Sequence, residues 1–192
     1  MDTLGRISRG DETALGELLH EAWEPLVLYL QTILPFPDQA KDAAQEAFVR
    51  MWAQRDRWTP GSARGLLFHL GRNAALDLVR KDKVRSRFAR DRARENPDYA
   101  ASPEDDLVAS EFAGRFRIAM QELPEKRREV FELVRFRGLS YKEVATAMEI
   151  SYQTVANQMT LAHKDLRRLL GDLLNDSEVG NDSDLERRSR DG

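Results

Sequence analysis

Apolar residues recur every three or four positions along most of this 192-residue chain, and no stretch alternates between apolar and polar residues for long. This period is that of an amphipathic helix, so the pattern predicts an all-α fold. One helix is predicted over 11–34, with Pro25 dividing or kinking it, because proline lacks the N–H that a helix needs. A second helix follows the break at PFPDQ and continues to about Arg57, and a third runs from about Ala63 to Lys83.

The helical pattern fails between the two halves of the chain. Residues 86–110 include ENPDYAASPEDD, which has two prolines and few large apolar residues, so we interpret them as a flexible acidic linker. Helices resume at about Leu107, and Pro124 is expected to begin a helix that Gly138 ends. The predicted organisation is two small helical domains, 1–85 and 111–174, joined by the linker and followed by a disordered tail at 175–192.

The sharpest local pattern lies at 138–170. Ser140 and Glu143 form a capping box that opens a short helix, and Ser151 can cap a longer helix after a turn at Glu149. A short helix, a tight turn and a longer helix are typical of a helix-turn-helix. The longer helix has an apolar stripe of Val155, Met159, Ala162, Leu166 and Leu169 and an opposite polar stripe of Gln153, Asn157, Thr160 and Lys164.

The polar stripe of the longer helix indicates what the motif binds. Amides and hydroxyls suit base edges in the major groove of DNA, and lysine suits phosphate, so the motif predicts DNA binding. Arg167 and Arg168 add positive charge to the same helix. The alternative interpretation is a helical hairpin whose polar face only keeps it soluble.

Charges are segregated along the chain, although the formal net charge is only −3. Residues 1–49 are mostly acidic, residues 50–94 are rich in arginine and lysine, and residues 95–111 are acidic again. Such blocks predict a surface for a polyanion beside a surface for a basic partner. The alternative for the basic block is a solvated helix face.

Several other classes of protein are disfavoured by composition. The chain has no cysteine, which excludes disulfides and thiolate metal sites, and its three histidines are far apart. No segment approaches the roughly 20 apolar residues that span a bilayer, and the N-terminus lacks the apolar core of a signal peptide. Phosphate-binding loops and nucleophile elbows are missing from the sequence. We therefore expect a cytoplasmic binding protein without a metal, a cofactor, a catalytic site or a membrane-inserted segment.

The segment DAAQEAFVRMW, residues 42–52, has an apolar stripe of Ala44, Phe48 and Met51. Its opposite face carries Asp42, Gln45 and Glu46, ahead of the arginine-rich block. A carboxylate, an amide and a second carboxylate on one exposed face suit a basic protein partner.

Taken in order, these segments resemble the extracytoplasmic-function sigma factors, the small two-domain initiation subunits of bacterial RNA polymerase. The resemblance covers roughly residues 5–172, in the segments RGDETALGELL, DAAQEAF, GRNAALDLVRK, a proline-containing acidic linker, LPEKRREVFELVRFRGLSYKEVA and the helix-turn-helix. It implies a protein that binds core RNA polymerase, recognises the −35 and −10 promoter elements and helps to melt DNA. The implied partners are core polymerase, promoter DNA and an anti-sigma factor.

The resemblance also implies roles for individual residues. In this family the segment matching DAAQEAF docks on a coiled-coil of the largest polymerase subunit, which implies core-polymerase contacts at Asp42, Gln45, Glu46 and Arg50. The third helix and the loop before it match the segment that reads and opens the −10 element. There Asn73 is implied in capture of an unstacked base, within a DNA-binding set of Trp58, Arg72, Asn73, Arg80, Lys81 and Lys83. Phe68 either stacks on bases or lies in the core, and Trp52 is expected in the core.

The −35 contacts implied by the resemblance are Gln153, Thr154, Asn157, Thr160 and Lys164. The recognition helix departs from the family pattern, because many members have basic residues near the positions of Ala156, Gln158 and Leu161. No particular −35 sequence can therefore be transferred. In the linker, Glu104, Asp105 and Asp106 are implied to occupy a basic path near the polymerase active centre.

Two other functions fit the sequence less well. One is a one-component transcription regulator whose residues 1–85 form an effector or dimerisation domain, although no ligand pocket is suggested there. The other is a sigma-like protein that has lost promoter recognition and acts through protein contacts alone. Co-purification with core polymerase would distinguish a sigma factor from the first, and run-off transcription from the second.

Overall fold

The computed structural model describes the backbone of residues 2–58, 61–88 and 107–188, and the side chains of residues 2–58, 61–82 and 113–171. This part of the chain is all-α, as predicted, and contains no strand. Its α-helices are α1 (Thr3–Ser8), α2 (Glu12–Leu30), α3 (Pro37–Ala53), α4 (Ala63–Phe88), α5 (Leu107–Gln121), α6 (Glu125–Arg135), α7 (Tyr141–Met148) and α8 (Tyr152–Arg188). None of these helices, over the residues described, is both long and apolar enough to cross a bilayer.

The first predicted helix is continuous through its proline. Asp11 caps α2 by accepting a hydrogen bond from Ala14 N at 3.1 Å. Pro25 lies inside α2 and does not divide it, so of the two predicted effects only a kink stays a prediction. The helix ends at Leu30 rather than at residue 34. Just after this end, Thr32 N and Thr32 Oγ1 both donate hydrogen bonds to Tyr29 O.

The second predicted helix is shorter than its pattern suggests. α3 begins at Pro37, a favoured residue for a first helical turn because its missing N–H would have no partner there. It ends at Ala53, and a separate 3₁₀ turn covers Arg55–Arg57. The buried side of α3 includes Ala44, Phe48 and Met51, which confirms the predicted stripe.

α2, α3 and α4 pack against one another around large buried side chains. Tyr29 and Phe68 are both fully buried, with ring centroids 5.6 Å apart. Leu26, Leu67 and Met51 complete this core. Phe68 is therefore a core residue and cannot stack on DNA bases, which settles the alternative that the sequence left open.

Side chains of α5, of the first part of α6 and of α8 between residues 157 and 171 share a second core. Phe131 lies 6.4 Å from Phe116 and 5.7 Å from His163, measured between ring centroids. Arg127 pairs with Asp165 beside this aromatic cluster. α6 begins at Glu125, one residue after Pro124, and it ends at Arg135, three residues before the predicted end. Gly138 lies in the turn that follows, at a left-handed φ of +66°.

Packing divides the chain into two compact units that do not follow chain order. The first unit contains Met1–Tyr99 and Glu132–Ala156, and the second contains Ala100–Phe131 and Asn157–Gly192. α7 therefore belongs to the first unit, while α6 and α8 contribute to both. The predicted domain bounds came from the order of elements along the chain, which does not report packing between distant elements, and they stay a prediction.

Two helices continue past the bounds that the sequence suggests. α4 extends to Phe88, beyond the predicted domain end at 85. α8 continues to Arg188, through most of the 175–192 segment for which disorder is predicted. The composition of the tail predicts disorder because it has few apolar residues. The shortage of apolar residues removes packing partners, but it does not prevent helical hydrogen bonds along the backbone.

Candidate polymerase and nucleic-acid interfaces

The helix-turn-helix begins with the predicted capping box. Ser140 N donates to Glu143 Oε2 at 2.8 Å, and Glu143 N donates to Ser140 Oγ at 3.4 Å. α7 ends at Met148, and its C-cap residue Glu149 is in the left-handed region, at φ 54°, which turns the chain. Ser151 Oγ then accepts a hydrogen bond from Thr154 N at 3.0 Å, at the start of α8. The short helix, the turn and the longer helix are therefore formed as predicted.

Glu143 also receives a bond from outside the motif. Ser62 Oγ donates to Glu143 Oε1 at 2.9 Å. Burial favours the neutral acid, but the hydrogen bonds from Ser140 and Ser62 and the charge of Arg64 outweigh it, so the pKa of Glu143 is lowered. Its carboxylate is thus ionised and fixed at neutral pH, and it ties the N-terminus of α7 to the start of α4.

The start of α8 has distinct buried and exposed sides. Val155, Met159, Ala162 and Leu166 are buried, whereas Leu169, the last residue of the predicted stripe, is only half-buried. Gln153, Asn157, Thr160 and Lys164 are all exposed. Thr154 is half-buried, and its hydroxyl lies 2.8 Å from Ser151 Oγ, so it takes part in the cap of α8. Four of the five predicted −35 residues thus lie on an accessible row.

Tyr152 is a candidate contact that the sequence interpretation missed. Its side chain is 53% exposed at the first position of α8, and its ring lies 5.8 Å from that of Tyr141. An aromatic residue directly after the Ser151 cap was the available signal, because such a residue stands at the end of a helix that faces DNA in this motif.

The acidic face of α3 is present in the structure. Asp42, Gln45 and Glu46 are exposed on the side opposite the buried stripe. Arg50 is half-buried and donates from Nε to Glu46 Oε1 at 2.6 Å, one helical turn away. Val49 is 54% exposed on the same helix and offers an apolar surface that the sequence interpretation did not include.

The predicted −10 residues on α4 are in different environments. Asn73 is half-buried, and its Nδ2 lies 3.0 Å from His69 Nε2, one turn earlier. Arg72 is half-buried, whereas Arg80 and Lys81 are exposed, and Arg80 pairs with Asp77 at 2.7 Å. The side chain of Lys83 lies outside the described residues.

Two tryptophans lie near the start of α4, Trp52 at the end of α3 and Trp58 in the loop that follows. Trp58 is half-buried, and its indole Nε1 donates to Met51 O at 2.9 Å. Trp52 is half-buried rather than part of the core, and the Arg55 guanidinium carbon lies 4.5 Å from the centre of its ring. Trp58 therefore has a fixed edge and a partly accessible ring. The linker residues Glu104, Asp105 and Asp106 lie outside the described residues.

Comparisons with known proteins agree with this arrangement. Residues 19–85 match the family model Sigma-70 region 2, and residues 114–166 match Sigma-70, region 4. The RNA polymerase sigma-H factor of Pseudomonas aeruginosa is 26% identical over 181 residues, which cover 90% of this chain and 94% of that protein. The ECF RNA polymerase sigma factor SigK of Mycolicibacterium vanbaalenii is 22% identical over 174 residues, which cover 88% and 87% of the two chains.

A solved structure shows the same fold. The sigma factor RpoE, crystallised with the anti-sigma factor NepR from Bartonella quintana, aligns with a TM-score of 0.60 at 23% identity, covering 81% of this chain and 95% of that one. Both sigma-70 regions are thus matched in order and together span well over half of the chain. The chain belongs to the extracytoplasmic-function group of RNA polymerase sigma factors, a family of transcription initiation factors.

Proposed function

We propose that this protein binds core RNA polymerase through the acidic face of α3 and recognises a −35 element through the start of α8. It recognises a −10 element, and helps to melt it, through α4 and the loop before that helix. No chemistry is assigned to the protein itself, which acts by binding. We place its action in the cytoplasm, and we include an anti-sigma factor among its partners because the sigma factor RpoE is held by one in its crystal structure.

The observation that carries the proposal is the exposed row on α8. Gln153, Asn157, Thr160 and Lys164 lie opposite a fully buried stripe, directly after a capped turn. Amide and hydroxyl groups can read base edges, and a lysine can neutralise a phosphate.

The other two surfaces support the same function. On α3, an exposed carboxylate–amide–carboxylate group beside Val49 combines charge with an apolar contact, which suits a protein partner. On α4, the half-buried Asn73 lies one helical turn from His69, within the arginine- and lysine-rich block of residues 50–94. An amide held in this way can hydrogen-bond to the edge of an unstacked base.

Run-off transcription with purified core polymerase tests the proposal. The protein should direct initiation at promoters selected from a randomised library, and Asn157→Ala should change base preference only at the upstream element, by about 1 to 3 kcal/mol. Gln121→Ala, an exposed amide on α5, is the control and should change nothing. Transcription that does not depend on the protein, or an Asn157→Ala effect at the downstream element, would contradict the proposal.

A further inference from the structure

His69 and Asn73 lie one helical turn apart on the less buried side of α4. Both side chains are half-buried, whereas Phe68, Leu70 and Ala74 beside them are buried. Side chains four positions apart on a helix are neighbours, and Asn73 Nδ2 lies 3.0 Å from His69 Nε2. The histidine is therefore the hydrogen-bond partner of the amide to which the proposed function gives base capture.

The direction of this hydrogen bond follows from the chemistry of the two groups. An amide nitrogen has two N–H donors and no acceptor, so Asn73 Nδ2 donates and His69 Nε2 accepts. A ring nitrogen accepts only when it carries no proton, which places the proton of the neutral His69 ring on Nδ1. The contact thus fixes both the tautomer of the ring and the orientation of the amide.

The amide oxygen of Asn73 is the atom left to meet a base. Asn73 Oδ1 accepts no hydrogen bond from the described residues, so it can accept one from a ligand. Adenine and cytosine carry an exocyclic amino group that donates, whereas guanine and thymine carry a carbonyl oxygen at the corresponding position. An amide with Oδ1 outward therefore favours an amino-bearing base, and an amide turned with Nδ2 outward favours a carbonyl-bearing base.

The backbone beneath this pair is held against the core. A Cβ atom on Gly71, midway between the two residues, would lie 3.0 Å from Leu26 Cδ1 and 3.4 Å from Leu30 Cδ1, so α4 passes very close to α2 here. On such a fixed backbone, the terminal torsion of an asparagine still has two roughly equivalent positions, half a turn apart. The hydrogen bond to His69 selects one of these two positions.

We propose that His69 is a positioning residue, which holds the Asn73 amide with Oδ1 outward and thereby makes it select adenine or cytosine at the −10 position that Asn73 contacts. This inference rests on the proposed function, because it needs Asn73 to meet an unstacked base. It adds to that function a class of base and a residue that determines specificity through another side chain.

Substitutions at residue 69 that differ in hydrogen-bonding capacity test the proposal. His69→Glu keeps an acceptor, His69→Lys supplies only donors, and His69→Leu supplies neither, while all three replacements favour a helix. Run-off transcription by the protein with core polymerase is measured on promoters that carry each of the four bases at each −10 position. The readout is the ratio of output between amino-bearing and carbonyl-bearing bases, because a ratio cancels the effect of a changed charge on overall DNA affinity.

The three variants have different expected outcomes at the position that depends on Asn73. Wild type and His69→Glu should prefer adenine or cytosine over guanine and thymine by at least about fivefold. His69→Leu should lose this preference, because either orientation of the amide is then available. His69→Lys should reverse it, because the introduced amine donates to Oδ1 and turns Nδ2 outward. A partial loss of structure would weaken a preference but would not reverse it.

Two controls separate positioning from other effects. The same three substitutions at His20, an exposed histidine on α2, should leave every base preference unchanged. In the Asn73→Ala background, His69→Lys should no longer alter base preference, because its effect passes through the amide. Circular dichroism of each variant checks that the helices are retained.

The outcomes separate the inference from the proposed function. If His69→Lys and His69→Leu keep the wild-type preference while Asn73→Ala abolishes it, the positioning role is refuted and the proposed function stands. If the effect of His69→Lys persists in Asn73→Ala, His69 contacts the base itself and positioning is again refuted. If Asn73→Ala keeps the wild-type preference at every −10 position, base capture by Asn73 fails and the inference falls with it. Should His69→Lys not fold, equal preferences in His69→Glu and His69→Leu would overturn the proposal.

Discussion

At the scale of single residues, Glu143 illustrates what local sequence can and cannot foretell. Its bond with Ser140 is a capping box, which depends on a spacing of three residues and was predictable. Its bond with Ser62 joins positions 81 apart, and no local pattern reports it. The same carboxylate therefore serves a motif that the sequence shows and a contact that only the fold creates.

The lowered pKa of Glu143 predicts how stability depends on pH. Because its pKa is lower in the folded protein than the ordinary 4.5, its contribution is fully present above about pH 4.5 and is lost as the pH falls through the folded value. The difference in unfolding free energy between wild type and Glu143→Gln should therefore shrink in acid. Denaturant titrations of both proteins at several pH values between 3 and 7 measure this change.

Glu132 provides the matched control with the opposite sign. Burial, only partly offset by Arg137, raises the pKa of Glu132 in the folded protein. The contribution of Glu132 to the free energy of unfolding is therefore present below about pH 4.5 and is lost as the pH rises through its pKa in the folded protein. The difference in unfolding free energy between wild type and Glu132→Gln should thus change with pH in the direction opposite to that of Glu143→Gln. Parallel curves for the two variants would contradict both assignments.

Phe68 gives a second prediction at this scale. Phe68→Ala should lower the free energy of unfolding by about 3 to 5 kcal/mol, because the ring is fully buried against Tyr29. Thermal or denaturant unfolding measures the loss. Unchanged stability with weakened DNA binding would return Phe68 to the base-stacking role. Its burial was hard to foresee because α4 packs against both α2 and α3, so more than one side of this helix is buried.

At the scale of elements, helical periodicity and caps proved the most reliable signals. The buried stripe of α3, the capping box of α7 and the exposed row of α8 were all visible in sequence. The ends of helices were less visible. α2 continues through Pro25 because packing on α3 and α4 stabilises it, and this tertiary contribution is absent from local propensity.

The exposed face of α3 carries the prediction that belongs to this scale. Gln45→Ala with Glu46→Lys should reduce affinity for core polymerase at least about tenfold, or about 1.4 kcal/mol, because the face loses its negative charge. Stability should change by no more than about 1 kcal/mol, even though the Glu46–Arg50 pair is lost, since exposed pairs contribute little. Binding to immobilised core polymerase provides the measurement.

The control for α3 is a charge reversal elsewhere in the same unit. Glu24→Lys changes the net charge of the protein as Glu46→Lys does, but at an exposed position on α2. It should leave core affinity within a factor of about two, because long-range effects of one exposed charge are screened by salt. Equal losses in both variants would mean that net charge, and not the α3 face, controls binding.

At the scale of the whole molecule, the units of packing differ from the order of the chain. The sequence divides naturally at the acidic linker, yet α7 packs with α4 in the first unit. The contact between α7 and α4 depends on the absence of a side chain at Gly65 and on the hydrogen bonds that Arg64 donates. Neither feature produces a periodic pattern of residues in the sequence. The family and its two regions could therefore be anticipated, but the docked helix could not.

The proposed two-element recognition makes spacing the prediction for the whole molecule. Once both DNA-reading segments are anchored on core polymerase, one or two base pairs added between the elements should sharply reduce transcription. Each pair rotates one element relative to the other by about 34 degrees, given about 10 to 10.5 pairs per turn. Run-off assays on a promoter series with altered spacing measure this, and equal output across the series would contradict recognition of two fixed elements.

The positions of the tryptophans have a spectroscopic consequence. Trp23, Trp52 and Trp58, the three in this chain, all lie in the first unit, and Trp58 is the one beside the proposed −10 surface. Intrinsic tryptophan fluorescence should therefore respond to binding of the −10 element and not to binding of the −35 element. Titration with single-stranded −10 DNA should quench the tryptophan emission, whereas a duplex that carries only the −35 element should leave it unchanged. The tryptophans can therefore report strand separation without an added fluorophore.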